Sequence, residues 1–325
     1  MSFPRAGVPA TFSRESDPPS PHRTMLINIF LAFQMLGLIG SCALVLTTTL
    51  SRRAPRNATW QNFFTSWIIS TVSYALLLFG GQLGQTLAGK DPLFGVCLAQ
   101  AGLVYGIPSL TAATTFGLIA QIWFSVQNLL ARKVKHERLW TIGLLILPYV
   151  ILFSMVIASW ATGIHNPEVV TVIGSGMYCH IGSSGTLGRV SALLVALTMI
   201  PTVALEIMIC VSLRRNWETF KRMKHSLAII LRVVIFTVFG ILAISLSGVF
   251  VFSSLHGAGL NIVFATMPVV AVVVFSTQKD ILSVWMFWKR PSREGEEFIM
   301  DMDDSHDKTL PGLPSARSSV SSAQV

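Results

Sequence analysis

FGVCLAQAGLVYGIPSLTAATTFGLIAQIWFSVQNLLARKVKHER, residues 94–138, is the stretch on which the rest of the chain turns. Cys97 opens it, and an apolar run from Leu98 to Leu130 follows, interrupted only by small and amide residues. The run closes on Arg132, Lys133, Lys135 and Arg138. A bilayer core about 30 Å thick is crossed by about 20 apolar residues in a helix. This run exceeds that length, so it can cross with tilt and project on one side. One end carries a cysteine and the other carries cations.

Composition points the same way. Of 325 residues, 52% are hydrophobic and only 12% charged, and the mean hydropathy is +0.63. Soluble domains carry about 25% charged residues, so half that level places the chain in the membrane class. A net charge of +9 would suit nucleic acid, but the cations sit in short clusters between apolar runs, which is how membrane orientation is encoded. No basic domain remains once the runs are removed, and no nucleic-acid partner is expected.

The expected fold is an all-α membrane protein, a seven-transmembrane helix bundle. Its spans fall at 25–50, 61–86, 94–128, 139–161, 189–213, 227–253 and 260–276. Residues 1–24 are polar and proline-rich, with no leader-like apolar core, and are expected to be disordered and extracellular. Arginine and lysine set the orientation. Loop 51–60 holds Arg52, Arg53 and Arg56, and loop 129–138 the four cations named above. Loop 214–226 holds Arg214, Arg215, Lys221, Arg222 and Lys224, and the stretch after the last span Lys279, Lys289, Arg290 and Arg293. The other side has only Arg5, Arg14, Arg23, Lys90 and Arg189. Positive loops stay in the cytoplasm, so the N-terminus is expected outside and the C-terminus inside. Residues 277–290, TQKDILSVWMFWKR, place Ile281, Val284, Trp285 and Trp288 on one helical face, the pattern of an amphipathic helix lying on the membrane surface. Residues 291–325, acidic and then serine-rich, are expected to form a disordered cytoplasmic tail, whose serines could accept phosphate.

Of four cysteines, Cys42 and Cys210 lie within apolar runs, while Cys97 and Cys179 lie at run edges on the side expected to be extracellular. Disulfides persist there, so a Cys97–Cys179 bridge is expected to pin the loop 162–188 over the mouth of the bundle. Seven spans, an outside N-terminus, a cysteine opening span three, a partner in the second outer loop, a surface helix and a Ser-rich tail together resemble the G-protein-coupled receptor superfamily. Pro148, Pro201 and Pro268 stand in spans four, five and seven, as in rhodopsin-like receptors. The sharper motifs differ. Span three ends Gln127-Asn128-Leu129 where that family has Asp-Arg-Tyr, span six has no proline, and span seven reads Met267-Pro268-Val269-Val270-Ala271 in place of Asn-Pro-x-x-Tyr. Phe275-Ser276-Thr277-Gln278-Lys279-Asp280 with Trp285 is similar to orphan seven-span receptor-like proteins of mushroom-forming fungi. The resemblance implies a plasma-membrane receptor that senses an extracellular ligand and signals to a heterotrimeric G protein, with the lipid bilayer as its other partner and no cofactor.

Candidate pocket residues are Gln82, Gln85, Gln100, Tyr105, Trp160, Tyr178, His180 and Asn261, all expected in the outer half; a receptor pocket is apolar with a few orienting polar groups. Each has the alternative reading of ordinary interhelical hydrogen bonding. Glu206 in span five and Arg232 in span six are the two intramembrane charges, and each needs a partner. Both lie roughly 8–10 Å from the same surface at ~1.5 Å per residue, so they are expected to pair as a two-state latch between neighbouring spans. Pro108 is expected to kink span three beside Thr111, Thr114 and Thr115. The seven histidines lie in loops or tails and the last span has no lysine, which argues against an intramembrane zinc hydrolase and against a retinal protein. A small-molecule or lipid transporter is the alternative function, although no internal repeat is visible.

Overall fold

In the computed structural model the described residues are 21–51, 56–87, 92–129, 137–173, 176–182, 185–215, 238, 245, 258–277 and 279–285. The sixth expected span apart from residues 238 and 245, Arg232 with it, and most of the basic loops lie outside them, as do residues 1–20 and 286–325. Residues 1–282 form one compact unit; 283–325 form a second, of which only the last turn of a helix is described.

The architecture is that of a mostly helical membrane protein. Helix α1 spans Pro21–Leu50, α2 Ala58–Tyr74, α3 Leu76–Phe79, α4 Leu83–Leu87, α5 Phe94–Leu129 and α6 Glu137–His165. A short 3-10 turn, Pro167–Val169, leads into strands β1 (Val170–Val172) and β2 (Cys179–Ile181), then α7 (Gly185–Arg215), α8 (Ala258–Ser276) and α9 (Lys279–Trp285). Four stretches are long and apolar enough to cross a membrane: Thr24–Leu50, Phe94–Asn128, Leu139–His165 and Gly185–Arg215. Of these, the α5 stretch is 67% buried against 28% for each of the others, so α5 is the central rod. It packs against α2, α6, α7 and both strands, while α1 packs against α2 and α8.

Small residues let the helices approach. On α5, Gly102 faces the indole of Trp160, and a Cβ on Gly106 would come within 2.8 Å of the Leu152 side chain and 3.1 Å of its carbonyl oxygen. On α1, a Cβ on Gly37 would lie 2.8 Å from the Pro268 ring of α8, and one on Gly40 2.5 Å from Val272. Lipid supplies no hydrophobic drive between helices, so close backbone approach and buried hydrogen bonds replace it. Ser66 and Thr114 hydroxyls join α2 to α5 at 2.8 Å. Tyr149 Oη on α6 donates to Asn62 Oδ1 on α2 at 2.6 Å. At the end of the bundle away from the hairpin, Phe275 of α8 sits among Trp60, Phe63 and Phe64 of α2, with ring centroids 5.2–6.0 Å apart.

Three sequence expectations need correction. First, α1 begins at Pro21, so residues 21–24 belong to the helix and not to the segment expected to be disordered; proline at the first helical position loses no needed N–H and presets φ. Second, the stretch 61–86 is not one helix. It breaks at Ala75 and again at Gly80–Gln82, where Gly81 adopts φ +66°, a left-handed conformation that glycine takes without a Cβ clash. Third, the loop expected over 162–188 is shorter at both ends and holds a hairpin. α6 continues through it to His165, α7 begins at Gly185, and an antiparallel hairpin pairs Val170 with Ile181 and Val172 with Cys179. Within the stretch 277–290 the described residues Lys279–Trp285 form helix α9, with Ile281 fully buried; Trp288 lies outside the described residues.

Candidate functional site: a tyrosine held beneath a cross-linked hairpin

The site is built upward from one face of α5. On α5, Gln100 stands about 60° to one side of Cys97 and Tyr105 about 80° to the other at ~100° per residue, so all three fall within one half of the helix surface. Each grips the hairpin. Cys97 is bonded to Cys179, with Cα atoms 5.2 Å apart, as the sequence leads one to expect. Gln100 is fully buried; its Oε1 accepts the Cys179 N–H at 2.9 Å. Its Nε2 donates to the carbonyls of Ser73 at 3.0 Å and Tyr74 at 3.2 Å. Those carbonyls end α2 and have no next turn to receive, so the amide closes a helix terminus that would otherwise lie open in a dry interior. Tyr105 Oη donates to the Ile181 carbonyl at 3.1 Å and accepts the Ile181 N–H at 3.3 Å.

The hairpin delivers its side chains between α1, α2 and α8. Gly176, at φ +79°, turns the chain, and the next two residues point into the bundle. Met177 is 2% exposed and packs with Ile27, Phe30 and Ala265. Tyr178 is partly exposed. Its ring meets Tyr74 edge-on at 5.5 Å and lies 6.4 Å from Phe30, and Phe30 and Tyr74 are themselves 6.1 Å apart. Tyr178 Oη donates to Asn261 Oδ1 on α8 at 3.0 Å. Burial pushes the Tyr178 phenol above its ordinary value, so it stays a neutral donor. The aromatic edges give directional contact, and the hydroxyl–amide bond fixes the ring's orientation.

The structure sorts the candidate residues by what already occupies their polar atoms. Gln100 and Tyr105 hold the hairpin. Gln82 ties the α3–α5 connection, its Nε2 donating to the Gly80 carbonyl at 3.3 Å and its Oε1 accepting the Leu93 N–H at 3.4 Å. Gln85 is placed on α4. His180 turns to the other side of β2, where Nδ1 lies 3.2 Å from the Thr171 carbonyl. Trp160 stands on α6 against Gly102, 41% exposed. Of these candidates, Tyr178 and Asn261 are hydrogen-bonded to one another. An open groove of about 600 Å³ lies along Thr24, Met25, Asn28, Ile29 and Ala32. Helical geometry puts those residues on the side of α1 away from Phe30, so the groove is no part of this cluster.

Glu206 is fully buried on α7, and its expected partner Arg232 lies outside the described residues. Around Pro108 two hydroxyls bridge helices: Thr114 of α5 meets Ser66 of α2 at 2.8 Å, and the second comes from outside the threonines. Ser191 of α7 donates to the Tyr105 carbonyl at 2.7 Å, while Thr111 bonds back within α5 to Ile107 and Pro108.

Sequence reasoning missed Phe30, Tyr74 and Met177. It sought polar groups, and the walls of this cleft are rings and a thioether. It also missed Gln34, a polar residue in the apolar run of α1 and so a visible signal; it is 2% exposed, and among the described residues its Oε1 has no partner. Compared with known proteins, the chain matches no family model and no curated protein sequence.

Proposed function

We propose that the chain is a seven-span receptor of the G-protein-coupled type, with its N-terminus outside and its tail in the cytoplasm of the plasma membrane. It would sense an extracellular ligand and signal to a heterotrimeric G protein. The observation that carries this reading is the hairpin cross-linked to the central helix, which sets an aromatic side chain into the mouth of a helical bundle. A lid of that kind shields a site for a ligand arriving from outside. The basic loops of the sequence then face anionic lipid and the G protein. Glu206 would pair with Arg232 across the fifth and sixth spans. An agonist would shift an existing equilibrium through its difference in affinity for the two arrangements.

The test is guanine-nucleotide exchange on heterotrimeric G proteins reconstituted with the purified protein in vesicles. Exchange above that of protein-free vesicles supports the receptor, and Glu206→Gln should change its basal rate. No acceleration with any G-protein class would defeat the reading. The burial of Glu206 is also what a transporter needs, since ionisable groups inside a membrane mark substrate or proton paths. Solute flux into the same vesicles, without exchange, would favour that second function.

A further inference from the structure

We infer that the cleft between Phe30, Tyr74 and Asn261 is a hydroxyaryl-binding site, which the resting protein fills with its own Tyr178 and which takes a small neutral phenol in its place. The contacts define the chemistry. Two aromatic rings stand 5.5 and 6.4 Å from the occupant ring, the nearer one edge-on. An amide oxygen, that of the 5%-exposed Asn261, receives the phenolic hydrogen at 3.0 Å. The floor is Ile27, Met177 and Ala265. Such a cleft matches a flat ring bearing one hydroxyl donor. It disfavours a charge, because the described residues of the cleft offer none to pair with it.

The occupant can leave without disturbing its support. The backbone on either side of the Tyr178 ring is tied down: the Tyr178 carbonyl accepts the Ile173 N–H at 2.9 Å, and the Cys179 N–H is held by Gln100 at 2.9 Å. Cys179 is also in the disulfide. The residue as a whole is partly exposed although its phenol is buried; a rotation about χ1 carries the ring outward while the hairpin stays in place. What remains is a cavity with the shape of the ring, bordered by the Asn261 Oδ1 that had received its hydroxyl. A cavity lined by apolar groups stays dry and takes up a ring of matching size.

Calling the phenol a signal rests on the receptor reading; its binding does not. The experiment therefore reads binding. Tyr178→Ala is purified with its disulfide verified by mass, and thermal unfolding is followed with p-cresol, which is the tyrosine side chain as a free molecule, and with toluene, which lacks the hydroxyl. The expected result is a rise in Tm of several degrees with p-cresol and a clearly smaller rise with toluene. Asn261→Leu in the same background should erase the difference. In the unsubstituted protein the tethered ring competes, so the p-cresol response should move to at least ~10-fold higher concentration. Equal responses to the two compounds, or none, would overturn the proposal. If Tyr178→Ala fails to fold, p-cresol in the growth medium should restore folded yield where toluene does not, and failure to restore it counts against the site equally. Nucleotide exchange with p-cresol on the unsubstituted protein is a separate reading, and a negative there bears on the receptor alone.

Discussion

Two buried glutamines make opposite demands on the interior. Gln100 satisfies three backbone groups with its two ends. Replacing it by leucine keeps the volume and strands the Cys179 N–H and two carbonyls. An unsatisfied buried group costs about 1–3 kcal/mol, so Gln100→Leu should lower stability by roughly 2–4 kcal/mol. Gln34 is almost as buried, yet among the described residues its Oε1 has no partner. There the same substitution removes a penalty, and Gln34→Leu should be neutral or stabilising by about 1 kcal/mol. Thermal unfolding of both variants in one detergent checks the contrast. A fall in both would mean that Gln34 serves something other than packing.

At the scale of elements, the α5–α6 contact is set by glycines of unequal strictness. A methyl at Gly106 meets the Leu152 backbone carbonyl at 3.1 Å as well as its side chain, so the two helices must separate. A methyl at Gly102 meets only the end of the Trp160 side chain, which is 41% exposed and can swing aside. Gly106→Ala should therefore cost about 1–3 kcal/mol and Gly102→Ala well under half of that; equal losses would show that the helices, not the side chains, resist in both places. Legibility from sequence also divides by element. The limits of α5 were readable because its own ends mark them, a cysteine at one and cations at the other. The break in the second stretch was written in Gly80–Gly81 but masked by the leucines around it. The hairpin was not readable at all. Its strands are three residues each, too short to show a period, and what fixes them is the far-off α5: a thiol, an amide and a phenol some 80 residues earlier. Tyr178 and Asn261 were on the candidate roster as separate polar groups, and only the fold makes them a pair.

For the whole molecule, the Cys97–Cys179 bond joins the central rod to the cover across 82 residues. Cross-links that close loops of this length stabilise by about 4–5 kcal/mol in the chain-entropy account. Cys97→Ala with Cys179→Ala should cost that order, and should also loosen Tyr178. Protection of the Tyr178 and Cys179 amides from hydrogen exchange should fall before that of the α5 centre; uniform loss would show that the cover has no separate opening. The threading scheme behind the proposed function is checked by the sequence Asn57-Ala58-Thr59, an acceptor pattern for N-linked sugar. It should stay unglycosylated, and a C-terminal epitope should be hidden on intact cells.

The reach of Gln100 to both α2 and β2 also dictates an order of assembly. During synthesis, α2 and α5 emerge well before residue 179 exists. Until then the Gln100 Oε1 has no Cys179 N–H to accept and Cys97 remains a thiol, so the nascent pair is left with two groups waiting for the hairpin. The arrival of the hairpin closes both at once. A ribosome stalled between residues 130 and 170 should consequently yield a chain whose Cys97 alkylates freely, and whose central rod is complete in length but not yet sealed at its end.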